Sequence, residues 1–273
     1  MKNIRIMIFA LLAALLFASA AAYAQPAPLR PDQLDQLVGK IALYPDPLLA
    51  QVLTASTYPD QIPEAAAWAD GHRYLHGNEL AGAISDDHLN WDPSVLALLP
   101  FPSVLDMMNR DMRWTRQLGD AVLTQRPEVM DAVQRMRRRA YDYGYLRSGA
   151  YIRVGVYPGY VEILPVDPAY IYVPVYDPVV VFSRPVGRVV VSAAISFGPA
   201  VWIGPALAGF GWAYAGFNWP SHVLVIDRQP WDRVWDNRLT YVHPYERPWH
   251  PTEPRVERHE LSRRMEAKGR APR

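Results

Sequence analysis

The sequence predicts an α+β protein: an N-terminal bundle of short proline-started helices, followed by a small antiparallel β region and a Gly/Ala-rich apolar segment. Three observations carry that prediction. Apolar residues recur with a helical period up to about residue 148, and after Arg147-Ser148-Gly149 the period becomes two, with Val, Ile and Tyr replacing Leu, Met and Ala. The 26 prolines among 273 residues are roughly double the usual share near 5%, so long helices and a regular doubly wound sheet are disfavoured. At 50% hydrophobic and 20% charged residues, the chain suits one or two globular domains; it fits neither a wholly disordered chain nor a multi-pass membrane protein.

The first element is a targeting signal. Lys2 and Arg5 precede an acid-free apolar run from Ile6 to Ala18, and small residues end in Ala22-Tyr23-Ala24, the n-region, h-region and cleavage site of a secretory leader. The run is shorter than the roughly 20 residues a spanning helix needs, so residues 1–24 are expected to be removed and the protein exported, to the periplasm or envelope. The formal net charge is +1, and losing Lys2 and Arg5 leaves it close to neutral, which argues against a nucleic-acid partner. There is no cysteine, which excludes disulfides, thiolate metal sites and thiol nucleophiles.

Residues 25–148 are expected to form the helical domain. Leu34, Leu37, Val38, Ile41 and Ala42 share one face. Tyr44-Pro45-Asp46-Pro47 then breaks the pattern, with Asp46 placed to cap the next helix and Pro47 at its first position. The same device recurs at Ile62-Pro63-Glu64, Asp92-Pro93-Ser94, Phe101-Pro102-Ser103 and Arg126-Pro127-Glu128. The last of these helices carries Val129, Ala132, Val133, Met136 and Ala140 on one stripe and ends in Arg135, Arg137, Arg138 and Arg139. A basic last turn complements the helix dipole; the competing reading of the cluster is an anion site.

Residues 149–226 form the expected β region. Val161 to Val166 reads as one strand and Tyr170 to Tyr176 as another, with Asp167-Pro168 and Asp177-Pro178 as turns of a hairpin or meander. In the second strand Tyr170, Tyr172 and Tyr176 share a face. Pro174 interrupts that face and cannot donate to a ladder, so the strand should lie at an edge or carry a bulge. The segment 189–217 has no charged residue and contains Gly198, Gly204, Gly209, Gly211 and Gly216. Its length would permit a membrane span, while its glycines, prolines and tryptophans favour a segment packed on protein. Val223 to Ile226 reads as a final strand, Trp231 and Trp235 would share a helical face, and residues 227–273 form a Pro/Arg-rich tail expected to be mobile.

Two strings are long enough to point to a family. They are the run from Leu37 through Leu43-Tyr44-Pro45-Asp46-Pro47-Leu48-Leu49-Ala50-Gln51 to Pro59, and the run from Trp91-Asp92-Pro93-Ser94 through Pro100-Phe101-Pro102-Ser103 to Met108. With Tyr170-Ile171-Tyr172-Val173-Pro174-Val175-Tyr176-Asp177-Pro178, they make the chain resemble the bacterial domain-of-unknown-function 3300 family over about residues 32 to 220. The resemblance implies a secreted or envelope-associated bacterial protein and brings no catalytic residues with it.

The sequence carries few catalytic motifs. There is no G-x-S-x-G elbow, S-x-x-K pair or H-E-x-x-H helix, and Gly209-Phe210-Gly211 lacks the third glycine of a dinucleotide fingerprint. His72, His76 and His88 with Asp86-Asp87 form a conceivable metal set, but Gly71 and Gly77 place the pair in a loop, so no metal and no cofactor is assigned. Asp46 and Asp92 could be imagined as a carboxylate pair for glycoside chemistry and are read more simply as helix caps. The tyrosine stripe Tyr170, Tyr172 and Tyr176 is the candidate ligand or partner face, offering an aromatic, hydrogen-bonding platform. The expected function is therefore a non-catalytic structural or interaction protein whose partner is an envelope protein, a cell-wall polymer or a membrane surface. A cell-wall or polysaccharide binding module is the alternative, and an unrecognised hydrolase a further one.

Overall fold

A computed structural model of the chain describes residues 25–185, 194–212 and 214–241; the leader lies outside the described residues. Eight helices come first: α1 (Pro31–Val38), α2 (Asp46–Ala55), α3 (Ile62–Gly71), α4 (Gly77–Asp86), α5 (Pro93–Leu96), α6 (Pro102–Arg110), α7 (Met112–Thr124) and α8 (Arg126–Asp142). Six of them, α1, α2, α3, α5, α6 and α8, have proline in the first or second helical position. Proline is suited there because its φ is already helical and the missing N–H would have had no partner in the helix. Asp92 caps α5, accepting from the Ser94 N–H at 2.9 Å and the Ser94 hydroxyl at 2.5 Å. Asp46 departs from the expectation: Pro45 is the N-cap of α2, and the Asp46 side chain makes no cap bond.

Helix α2 is the centre of the molecule. All of its residues except Pro47 are buried, and it packs against α5, α7 and three of the strands described next. Gly119 on α7 makes one close approach possible, because a Cβ there would lie 2.1 Å from the Ser56 carbonyl oxygen at the end of α2.

The strands β1 (Ile152–Tyr157) and β2 (Tyr160–Pro165) form an antiparallel hairpin. Strand β3 (Tyr170–Tyr176) pairs with β4 (Ile195–Trp202), so both are edge strands, and the register shifts between Tyr172 and Pro174, as a proline without a ladder donor demands. Asp177-Pro178 is not a hairpin turn: Asp177 accepts from the Val179 N–H at 2.8 Å and caps the one-turn helix α9 (Pro178–Val181). The third sheet orders β5 (Ala215–Asn218), β6 (Val223–Ile226) and β7 (Gln229–Pro230). Between β6 and β7 the two-residue turn Asp227-Arg228 has both φ values positive, the backbone that a tight hairpin requires.

The uncharged segment is packed on protein around Leu207 to Trp212, while β4 within it has no buried residue. Leu207, Phe210 and Trp212 are buried, the Trp212 indole N–H donates to the Ala97 carbonyl at 2.9 Å, and Gln51 of α2 donates to the Gly211 carbonyl at 2.7 Å. Among the described residues no helix is long and apolar enough to cross a membrane. The tail assignment also changes. Residues 227–241, expected to be mobile, include the buried Trp231 and Arg233, and Arg126 donates to the Trp231 carbonyl at 2.8 Å and lies over its ring. Trp231 and Trp235 do not share a helix; residues 231–234 are irregular and a turn runs from Trp235 to Thr240.

Candidate functional site

The site is built outward from a buried ion pair. Arg137 of α8 and Asp46 of α2 meet at 2.5 Å with side chains 0% and 4% exposed. The guanidinium also donates to the carbonyls of Ala42 at 2.8 Å, Tyr44 at 2.9 Å and Val161 at 3.0 Å. The second carboxylate oxygen of Asp46 accepts from the Trp219 indole N–H at 2.9 Å, and the Arg137 guanidinium lies 5.0 Å from that ring's centre. Burial pushes the Asp46 carboxyl up, while Arg137 and the Trp219 indole pull it back. One buried pair thus joins α2, α8, the Tyr44-Pro45 corner, β2 and the end of β5.

Above this frame, β2 turns Val161 and Ile163 inward and Tyr160 and Glu162 outward, as strand alternation requires. Two open hollows flank the outward face. One, of about 750 Å³, is lined by Arg135, Arg138 and Arg139 of α8 together with Arg184, Gly159 and Tyr160, and Asp131 and Asp142 also border it. The other, of about 580 Å³, is lined by Tyr160, Glu162, Tyr214, Phe217, Trp219 and Arg228, with Asn218 at its edge. Tyr160 is common to both. A bond at 2.8 Å between His222 and Asp131 also ties the β5–β6 turn to α8. The two hollows adjoin at Tyr160, one lined by arginines and the other by aromatic rings, and the pair is called the groove below.

The charges in it are unequally engaged. Asp35 pairs with Arg135 at 2.6 Å and approaches Arg139 at 3.7 Å. Arg138 donates only to the Tyr157 carbonyl, at 3.4 Å, and neither Arg138 nor Arg184 has a carboxylate partner among the described residues. At the aromatic end Phe217 stacks on Trp219 with ring centres 4.2 Å apart, and Tyr214 is 50% exposed. Partial burial pushes the Glu162 carboxyl up, and the nearby Asp46 adds to the shift.

The tyrosine stripe is divided by the bulge at Pro174. Tyr170 is exposed and Tyr172 half-buried, with the Tyr172 ring 4.5 Å from that of Tyr151 and Tyr151 5.1 Å from Phe197. Tyr176 leaves that face: its hydroxyl donates to the Gly39 carbonyl at 2.9 Å and accepts from the Leu43 N–H at 3.3 Å. Burial pushes its phenol well above the ordinary value. The register shift exchanges the two sides of β3, which leaves Val175 58% exposed where the uninterrupted alternation would bury it.

The other polar candidates are not gathered into one place. His72 stacks on Trp68 at 3.9 Å, and His76 is the N-cap of α4. Among the described residues no cluster of three or more His, Asp or Glu is placed to hold a metal ion. Asp46 and Asp92 are engaged separately, the first with Arg137 and Trp219, the second with Ser94 and with Gln61, whose side chain accepts from the Asp92 N–H at 2.8 Å.

Comparison with known proteins gives two matches. The chain is 35% identical to the uncharacterized protein YacH of Escherichia coli (strain K12), over 56% of this chain and 30% of YacH; it therefore spans under a third of that relative's length. No solved structure matches the chain. The family model for the protein of unknown function DUF3300 matches residues 30–250, which takes in the buried ion pair and both ends of the groove, and the chain belongs to the DUF3300 family.

Proposed function

We propose that the protein is exported and acts in the cell envelope as a non-catalytic interaction protein that presents its open groove to a partner. The observation that carries this reading is the division of labour around the groove. The deepest ionisable pair, Asp46 and Arg137, is fully committed to joining five pieces of backbone, and the groups above it face solvent in a wide hollow. A site that holds its walls rigid from below and stays open above suits recognition, whereas chemistry on a bound substrate gains from closure against water. The leader at residues 1–24 supports export.

Export is tested by expressing the full chain in a Gram-negative host, releasing the periplasm by osmotic shock and sequencing the N-terminus. We expect recovery outside the cytoplasm with Gln25 as the first residue. Cytoplasmic protein that still begins at Met1 would overturn the envelope assignment.

A cell-wall or polysaccharide binding role is the second reading, favoured by the accessible aromatic rings. Among the described residues such rings lie on the ledge of Tyr170, Tyr172, Tyr151 and Phe197 and in the groove at Tyr160 and Tyr214. Tyr176 belongs to neither, because its hydroxyl is spent on Gly39 and Leu43.

A further inference from the structure

We infer that the groove holds an acidic glycan chain, with sugar rings against Tyr160, Phe217 and Tyr214 and the chain's carboxylates on Arg138 and Arg184. The inference rests on the interaction reading above and names the ligand class of that site.

Three features of the groove select this ligand. First, the arginine end keeps two cations, Arg138 and Arg184, that no carboxylate of the described residues neutralises. A guanidinium presents a planar fork of donors that matches a carboxylate in two parallel bonds. Second, the aromatic end is a fixed platform. Phe217 rests on Trp219, and Trp219 is held from behind by Asp46, so little side-chain entropy is lost when a sugar ring lays its C–H face there. Third, Glu162 lines this end and makes no side-chain hydrogen bond among the described residues, and Asn218 stands beside it. A carboxylate and an amide are acceptors and donors suited to sugar hydroxyls.

The shape of the site disfavours an anionic bilayer, because a flat surface would not follow a concave groove. The two hollows meet at Tyr160, so a chain lying through both places anionic groups and ring faces on the same polymer.

The test uses the full exported chain and four probes: polygalacturonate and alginate as acidic glycans and dextran as a neutral one, by affinity electrophoresis at low salt, and phosphatidylglycerol vesicles by co-sedimentation. We expect retardation by the acidic polymers, weakening steeply with salt, and little by dextran. The double variant Arg138→Ala with Arg184→Ala should weaken binding about ten-fold or more, and Tyr160→Ala and Tyr214→Ala each several-fold, order-of-magnitude figures for charge-assisted bonds and stacked rings. Unfolding midpoints of each variant show that the fold is kept. If the arginine variants lose binding while both tyrosine variants keep it, the site is a general anion surface and the glycan assignment falls. Equal binding to phosphatidylglycerol vesicles, unaffected by the tyrosine variants, would replace the glycan with a membrane surface. No retardation by either acidic polymer would overturn the inference while leaving export, tested separately, intact.

Discussion

Arg137 and Arg138 are consecutive on one helix, identical in chemistry and opposite in use. Arg137 is completely buried, bonded to Asp46 and three carbonyls, and Arg138 stands half-exposed over an open hollow with one long bond to a carbonyl. The helix turns about 100° per residue, and that rotation alone separates a buried structural cation from an open one. The buried side of α8 sets the positions of β2 and Trp219, and the open side borders the surface they make. A run of arginines is therefore not one feature, and its members have to be judged by the face each occupies.

The comparison breaks most visibly at Arg137. Arg137→Ala leaves the Asp46 carboxylate buried without its cation and frees the carbonyls of Ala42, Tyr44 and Val161, so urea unfolding should show a loss of about 3 to 5 kcal/mol. A loss under 1 kcal/mol would mean that the pair is not the frame. Gly119→Ala tests a neighbouring part of the same buried region. Its methyl carbon would meet the Ser56 carbonyl at 2.1 Å, and α2 or α7 must shift, at about 1 to 3 kcal/mol. An unchanged melting temperature would show that the two elements are not in that contact. On the open side, Arg138→Ala should alter stability by no more than about 0.5 kcal/mol, measured by the same urea titration. A destabilisation approaching that of Arg137→Ala would abolish the distinction between the two faces.

How much of this was legible in the sequence depends on how local the physics is. The helix starts were readable because proline at the first turn acts within a few residues, as at Pro31, Pro93 and Pro102. The irregularity of β3 was readable for the same reason, since Pro174 has no N–H to offer. Its consequence for Tyr176 was not, because a shift of one residue exchanges the faces of everything beyond it. Asp46 reads as a cap in the sequence, because its partners Arg137 and Trp219 lie 91 and 173 residues away and no spacing rule connects them. Arg137 follows Val133 by four residues and precedes Ala140 by three, which puts it beside the apolar stripe of α8, but Arg139 follows Met136 by three and Ala132 by seven and borders the stripe on its other side, so spacing alone does not tell which of the two is buried. The groove itself joins α8, β2, Arg184 and the β5–β6 region, which only the tertiary fold brings together.

The proposed ligand lies along the groove past Tyr160 and not on the ledge of β3. Amide chemical shifts of the isotope-labelled protein, followed as an oligomer of galacturonate is added, separate the two surfaces. Saturable shifts are expected at Gly159 to Glu162 and Phe217 to Trp219, with Tyr170 to Tyr172 unmoved. Shifts confined to Tyr170, Tyr172 and Phe197, or none at all, would contradict that placement.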